Sequence, residues 1–492
     1  MTDRPLDPAQ LAGHGDMDVE AFRRAAHEVA DLMADYLATV EGRPVLPRVA
    51  PGEIRARLPS AAPAAPEPLD RILADYRAFI EPNVTHWQHP GFFAYFPSTA
   101  SGPGILGEML MSTLIANAML WRTSPAATEL EEVIVGWLRD ALGLPEPFDG
   151  LFTDTASTSS LAALAAARQL ATGDAAAAGL YGAPLHIYAS AEAHSSIEKA
   201  AMILGLGRAG VRRIPVDDAY AMDPTALEAA IAEDRAAGIR PAAIVATIGT
   251  TGSNAIDPVG VVADVAAREG VWLHVDAAYA GVVALLPERR GPFAGWERAD
   301  SIVVNPHKWL FTPLDCSLLL CRRPAVLRDA LSLVPEYLRT TDQPAVHDFN
   351  EYQPQLGRRF RALKIWFVMR YFGLDGLRAR IAEHLDQAAS FAAWVDHEPE
   401  AERLAPVPFA TVCFRWHPRG LDDEAVLDRL NQRLMERVNA DGESFISHTR
   451  LGGRFTLRLA LGNLRTESRH VERFWDLVRR LGPQVVAQSS SR

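Results

Sequence analysis

Ser301-Ile-Val-Val-Asn-Pro-His-Lys-Trp309 decides the reading of this 492-residue chain. Ile302 to Val304 favour a β-strand, and Pro306 cannot continue a strand ladder. Lys308 therefore falls on a turn just past a strand end, where open α/β sheets hold their ligands. A lone lysine there reads first as a surface cation. A second stretch changes the weighing. Val271-Trp-Leu-His-Val-Asp276 is another apolar strand, ends on a carboxylate and runs into the small pair Ala277-Ala278. A lysine and an aspartate thus close two buried strands.

Outward from these two strands, the chain alternates. Strands are expected at 185–189, 211–216, 242–248 and 317–321, with helices opening at His194-Ser195-Ser196, over 225–236 behind Asp223 as N-cap, and over 259–269. Such β/α alternation indicates an α/β fold: a mostly parallel sheet with both faces covered. Thr155, His194, Thr251, Asp276 and Lys308 all fall at strand ends or helix starts. If those ends share one edge, they converge on one crevice.

The flanks read differently. Phe22 to Val40 and Leu69 to Ile80 are amphipathic helices separated by the Ala/Pro-rich stretch Ser60–Pro68, and they need another surface to bury their apolar faces. His89-Pro-Gly-Phe-Phe-Ala-Tyr-Phe-Pro97 is an aromatic cluster, read either as a hydrophobic anchor beneath a loop or as a pocket wall that includes Trp87, Tyr95 and Phe96. Ser124-Pro125 opens a further helix, with Ser124 as N-cap. The hydroxyl-rich run Phe152–Ser160 heads an Ala/Leu-rich helix and suits either a cap or a phosphate. Periodicity fails over about 329–355, and a loop this long inside a compact domain is usually functional or disordered. Arg454 to Leu459 alternates like a half-exposed antiparallel strand. The expected organisation is an N-terminal helical arm (1–85), a large α/β domain (86–371) and a smaller C-terminal α+β domain (372–492).

Composition excludes several functions. The net charge is −12, from 49 basic and 61 acidic residues, which argues against nucleic acid or an anionic membrane as the main partner. Cys316, Cys321 and Cys413 lack zinc-ligand spacing and have largely apolar neighbours, so they read as core thiols in a reducing compartment and no metal site is expected. The N-terminus carries Asp3 and Asp7 and no long apolar run, so no signal peptide or membrane span is expected and the cytoplasm is the expected location.

Pyridoxal phosphate chemistry needs a lysine for a Schiff base and an acid to keep the pyridine nitrogen protonated. With that pair in place, the motifs HPGFFAYFP, SPAATELE, TASTSS, AEAHSSIEKA, GTTGSNAID, WLHVDAAYAG, NPHKW and LGRRFRALK, in this order, make the chain from about residue 17 to 480 resemble the group II pyridoxal-phosphate-dependent decarboxylases, closest to the aromatic-L-amino-acid decarboxylases. The resemblance implies a homodimeric fold-type I enzyme with a seven-stranded-type sheet and pyridoxal 5'-phosphate as cofactor. It makes Lys308 the Schiff-base lysine and Asp276 the partner of the pyridine nitrogen. Ala278 and His194 would flank the ring. Thr155, Ala156 and Ser157 match the phosphate-cradling run, helped by Asn305 and His307, and Thr251 matches a residue near the ring substituents.

The same resemblance assigns Trp87, Tyr95, Phe96, Pro97 and Ser98 to the substrate wall. It places Tyr337, in a mobile catalytic loop, as the group that protonates the carbon after CO2 leaves. Family members with phenylalanine there release aldehydes and consume oxygen. Asn117 and Met119 stand where animal members carry larger apolar residues, Ser98 replaces a threonine, and Asn350 replaces an arginine. Gly357 stands where some phenol-selective plant relatives carry serine. The implied lead substrate is L-tryptophan or a 5-hydroxylated form, with L-DOPA, L-tyrosine and L-phenylalanine open. An aldehyde synthase and an acidic-amino-acid decarboxylase of the same fold are the rivals, followed by a binding protein without activity.

Overall fold

The computed structural model of the chain describes residues 6–12, 15–180, 182, 184–338, 342 and 345–490. Seven strands form the larger sheet: β1 (Asp149–Thr153), β2 (Leu185–Ser190), β3 (Val211–Ile214), β4 (Arg240–Thr247), β5 (Trp272–Asp276), β6 (Ser301–Val304) and β7 (Ser317–Cys321). Their order is β1-β7-β6-β5-β4-β2-β3. β7 runs antiparallel to both neighbours, and the remaining pairs are parallel. The other six strands therefore point the same way, and their C-terminal ends share one edge.

Among helices of eight residues or more, α1 is Val19–Thr39, α2 Gly102–Leu114, α3 Pro125–Ala141, α4 Ala156–Thr172, α5 Ser196–Ile203, α6 Pro224–Ala236, α7 Val259–Glu269, α8 Pro324–Leu331, α9 Ala362–His397, α10 Glu424–Asp441 and α11 Ser468–Ser490. A second sheet is wholly antiparallel, in the order β10-β11-β9-β8, from β8 (Ala401–Arg403), β9 (Thr411–Trp416), β10 (Ser447–Leu451) and β11 (Arg454–Ala460).

The core follows from side-chain size. Ala162 to Ala167 of α4 are buried in one cluster with Ile187, Ala243, Val245, Trp272 and Leu319 of the sheet. A helix face of alanines lets the backbone approach the strands closely. Ile244 and Val245, fully buried on β4, each contribute about 1.5–3 kcal/mol relative to exposure. Gly107 does the same for α2, since a Cβ there would stand 2.8 Å from the Lys364 Cα of α9. The one buried histidine on β5 is satisfied: His274 meets the Ser160 hydroxyl at 3.1 Å and the Ser301 hydroxyl at 2.9 Å.

The structure divides into two compact units, residues 93–432 with 447–464, and residues 1–92 with 433–446 and 465–491. The boundary expected at 371/372 falls inside α9, just before its kink at Gly373, and the expected C-terminal domain is shared out. The second sheet belongs with the large unit because side chains tie β11 to it. Arg458 Nε donates to the Gly252 carbonyl at 2.9 Å and Tyr279 Oη to the Leu461 carbonyl at 2.5 Å. α11 belongs with the N-terminal helices because Arg469, His470 and Arg473 converge on Glu41, whose carboxyl Arg469 and His470 hold down at a pKa of about 2.

Two strands, β1 and β8, were not expected from the sequence, and two local expectations change. β11 is buried on both faces rather than half-exposed, because its polar face carries Thr456 and Arg458 inward. Ser124 and Thr155 occupy N-cap positions, but neither side chain makes a capping bond. Asp223 does cap α6, accepting from Thr225 N at 2.8 Å and Ala226 N at 3.3 Å. All three cysteines are free and buried, with burial pushing Cys316 and Cys321 up to about 12 and Cys413 to about 11.

Candidate active site

The C-terminal edge of the large sheet gathers the expected residues. Asp276 is the last residue of β5 and pairs in register with Thr247 of β4 and Val303 of β6. The ladder continues past the strands, with Asn305 N donating to the Ala278 carbonyl at 3.0 Å. That bond brings the turn carrying Lys308 beside the turn carrying Asp276. Burial lowers the Lys308 pKa, and the charge of Asp276 works the other way. The Lys308 Nζ stands 5.1 Å from the centre of the Phe96 ring.

Lys308 opens on a cleft of about 790 Å³, lined also by Tyr95, Phe96, Glu192, His194, Thr251, Gly252 and residues of the β10–β11 hairpin. Phe96 is its aromatic floor. The ring stacks on Tyr279 at 3.9 Å between centroids, and Tyr279 stacks on Trp309 at 4.8 Å. Trp309 Nε1 donates to His384 Nδ1 at 2.8 Å, so the floor is tied down at its far end. Ser98 donates to the His307 carbonyl at 2.6 Å, which fixes the residue before the lysine. His307 Nδ1 accepts from Cys316 N at 2.9 Å, and burial with the neighbouring Lys308 pushes its pKa down to about 3. A neutral ring with Nδ1 so engaged carries its proton on Nε2.

The hydroxyl-rich run splits into two groups. Ser159 is consumed inside the fold, 2.7 Å from the Thr153 hydroxyl and 3.0 Å from that of Ser317, and Ser160 serves His274. Thr155 is the N-cap of α4 and its N donates to Asp154 Oδ1 at 2.7 Å, so the N–H groups open to an anion there are those of Ala156 and Ser157.

The family model described as the pyridoxal-dependent decarboxylase conserved domain matches residues 51–417. The chain belongs to the pyridoxal-dependent decarboxylase family. Tryptophan decarboxylase TDC2 of Camptotheca acuminata is 40% identical over 486 residues, covering 97% of this chain and 95% of that protein. Phenylacetaldehyde synthase of Arabidopsis thaliana is 41% identical over 472 residues, covering 94% and 96%. The crystal structure of Oryza sativa TDC with PLP and tryptamine superimposes with a TM-score of 0.93 at 38% identity, covering 98% of this chain and 99% of that one.

The residues of this decarboxylase fit pyridoxal phosphate. Ser190 Oγ at the end of β2, Thr247 Oγ1 at the end of β4, Asn305 Oδ1 and Arg458 Nη2 are buried polar atoms with no hydrogen-bond partner among the described residues. Buried polar atoms left this way are costly unless a ligand satisfies them. Thr247 is the register partner of Asp276, Asn305 opens the turn that carries Lys308, and Arg458 lines the same cleft as Lys308. A phosphorylated pyridine offers both an anion and ring heteroatoms.

Other expected site residues lie elsewhere in the single chain. Asn117 and Gly357 line a separate hollow of about 340 Å³, where Asn117 Oδ1 accepts from Arg358 N at 2.9 Å. Met119 lends its carbonyl to Asn350 N at 3.1 Å. Trp87 lies in the other unit, stacked on Phe92 at 4.3 Å. Tyr337 belongs to the short turn Glu336–Leu338, and its side chain lies outside the described residues.

The sequence reading missed Glu192, Ser447 to Arg450 and Arg458. Arg458 is buried, and Nη1 donates to the Tyr95 carbonyl at 3.3 Å and to the Ser447 hydroxyl at 3.1 Å. Its guanidinium lies 5.4 Å from the Phe96 centroid. Glu192 has no hydrogen bond or ion pair among the described residues, and burial raises its pKa. Its carboxylate overhangs Gly252, where a Cβ would stand 2.7 Å from Oε2. Alternation hid Arg458, because it shares with Arg454 and Thr456 the strand face that reads as wet.

Proposed function

We propose that this decarboxylase removes CO2 from an aromatic L-amino acid to give the arylalkylamine, with L-tryptophan or 5-hydroxy-L-tryptophan as lead substrates and L-DOPA, L-tyrosine and L-phenylalanine in the same class. The observation that carries the reading is Lys308 set beside Asp276 over an aromatic floor, in a fold shared with relatives named for tryptophan decarboxylation. A rival acting on acidic amino acids needs a cation near the substrate side chain. Arg458 is a cation in the cleft, but it is spent largely on the Gly252 and Tyr95 carbonyls and on the Phe96 face.

When bound, pyridoxal phosphate supplies the sink for the electron pair left behind as CO2 departs. Lys308 is the amine that holds it, and the lowered pKa raises the share of free amine available to do so. Asp276 keeps the proton on the pyridine nitrogen. Ala278 and His194 would flank the pyridine ring. The first N–H groups of α4 at Ala156 and Ser157, with the Thr155 hydroxyl, Asn305 and His307, would take the phosphate, and Thr251 would serve the ring substituents. Tyr95, Phe96, Pro97 and Ser98 would form the wall for the aromatic side chain. Tyr337 delivers the proton to the carbon that lost CO2, and closing its loop excludes water at that moment.

The working unit in this reading is a homodimer. The apolar positions Val29, Leu32, Met33, Tyr36 and Leu37 of α1 are only part-buried in one chain, and α2 exposes Leu106, Leu110 and Leu114 along one face. A second copy covering those faces would also let Asn117, Met119 and Gly357 serve its neighbour's cleft. The buried free thiols agree with a cytoplasmic location.

The test is product analysis on purified, cofactor-loaded protein given L-tryptophan, 5-hydroxy-L-tryptophan, L-DOPA, L-phenylalanine and L-glutamate separately, with CO2, amine, aldehyde and oxygen followed together. Aromatic amine with CO2 and no oxygen uptake is the expected result. Turnover of L-glutamate alone would overturn the aromatic reading. The phenylacetaldehyde synthase relative gives the second reading, and aldehyde with oxygen uptake is the result that would select it.

A further inference from the structure

His194 stands in the cleft at the mouth of α5, and its ring is held from behind. Ser196 N, at the first turn of that helix, points its hydrogen at His194 Nδ1 over 3.2 Å. The Ser196 hydroxyl lies 2.9 Å from the same nitrogen. A backbone N–H can only donate, so Nδ1 is the acceptor and carries no proton. The hydroxyl, facing an unprotonated nitrogen, then donates as well. The neutral imidazole is left with its single hydrogen on Nε2.

We propose that Ser196 is a positioning residue for the decarboxylation, fixing His194 as the Nε2–H tautomer so that the ring offers the cleft one hydrogen-bond donor and no acceptor. The tautomer follows from the geometry alone. Its use in catalysis rests on the decarboxylase reading of the cleft.

Several features act together. Ser196 is buried, so its two donors have little water to compete with them. Protonating the ring would place a hydrogen on Nδ1, where both donors already point, and one of them would have to turn away. The positive end of the α5 dipole opposes the charge too. Burial is the largest cause lowering the His194 pKa. Asp276 on β5 raises it, whereas Lys308 beyond β6 and Lys199 on α5 lower it. Glu192, on the same turn as His194, also lines the cleft. The cleft therefore keeps an uncharged donor beside Lys308 at working pH. An uncharged ring can lie flat against a π-system without adding a second cation there. An imidazolium would compete with Lys308 for the charge of Asp276.

The direct test is nitrogen-15 magnetic resonance of the holoenzyme with labelled histidine. The His194 signals are identified by their absence from a His194→Asn variant. The expected pattern is a protonated Nε2 and a bare Nδ1 that persists below the pH at which an ordinary histidine titrates. A proton on Nδ1 in the native enzyme would overturn the proposal, whatever reaction the enzyme performs. The second arm is Ser196→Ala, with Ser196→Thr as the variant that restores the hydroxyl. Removing the hydroxyl should move the His194 titration and the acid limb of the kcat profile upward together by about one pH unit, roughly tenfold in protonated fraction. KM should change less than kcat, and Ser196→Thr should move both back. An unchanged titration in Ser196→Ala would show that the hydroxyl is not the lock. A shifted titration without a shifted kcat limb would keep the tautomer and remove its catalytic role.

Discussion

Lys308 and Asp276 meet because β5 and β6 are parallel neighbours that end side by side, with Asp276 opposite Val303. This much was legible in the sequence, since two short apolar runs ending in charged or turn residues mark strand ends with little ambiguity. His194 and Thr251 were legible for the same reason. Arg458 was not, because alternation along 454–459 describes a strand with one wet face, and only the tertiary partners Gly252 and Tyr95 show that this face is dry. Asp276→Asn should lower kcat by roughly a hundredfold or more, as expected when a preorganised charge at a reacting centre is removed. Steady-state rates and the absorbance of the bound cofactor would check it, and a variant with full kcat would remove Asp276 from the chemistry. Tyr337→Phe should redirect product from amine to aldehyde with oxygen uptake. An oxygen electrode beside amine chromatography reads both, and unchanged amine yield would make Tyr337 a packing residue.

At the scale of elements, helix and strand periods placed α6, α7 and β4 to β7 within one or two residues. β1 escaped because it is short, follows Pro145-Glu-Pro147 and contains Gly150. That glycine is required by packing, since a Cβ there would stand 2.4 Å from the Leu319 carbonyl of β7. A contact to a strand far along the chain leaves no local pattern. The element that locks β1 is also non-local. Glu131 of α3 accepts from Phe152 N at 2.8 Å and pairs with the Arg358 guanidinium, both side chains being fully buried. Arg358 in turn donates to the Ala118 and Phe152 carbonyls at 3.0 Å each. Glu131→Ala strands a buried guanidinium and a strand N–H, so it should cost about 3–5 kcal/mol. Urea unfolding would measure it, and a loss near that of a surface substitution would mean the pair is not structural. Asp223→Ala removes one helix cap and should cost only about 1 kcal/mol by the same method.

At the scale of the whole molecule, the folded state keeps several histidines neutral. Burial pushes His89 and His274 down to about 4, and His307 and His384 to about 3. Their unfolded counterparts take up protons from the ordinary value of 6.5 downward, so stability is intact above that pH and falls as pH drops toward the folded values. Asp257 acts with the opposite sign. Burial pushes its carboxyl up to about 7, so its contribution is present in acid and is lost as pH rises through that value. The four histidines outnumber the one carboxyl, whose loss is complete by about pH 7, so the melting temperature should fall as pH drops below about 6.5. A plateau continuing down to pH 4 would contradict the histidine assignment.

The same scale carries the question of assembly, on which composition was silent. α2 presents Leu106, Leu110 and Leu114, spaced by four, at 56%, 49% and 61% exposure, and Ile115 beyond them at 84%. An apolar stripe of this kind on a helix end marks an interaction surface rather than a tolerated scatter of leucines. The other face of α2 is committed to α9 through Gly107, so the stripe cannot turn inward. Asn117 and Gly357 line a hollow just beyond it, away from the Lys308 cleft of their own chain. If a second copy covers the stripe, those residues gain a cleft to serve. Leu110→Asp should then shift the protein from dimer to single chains in sedimentation, and activity should fall in step as the protein is diluted. Far-ultraviolet circular dichroism should stay unchanged, because the side chain it replaces is half exposed and the helix remains whole. A variant that stays dimeric and active would place the interface elsewhere and return Asn117 and Gly357 to structural roles.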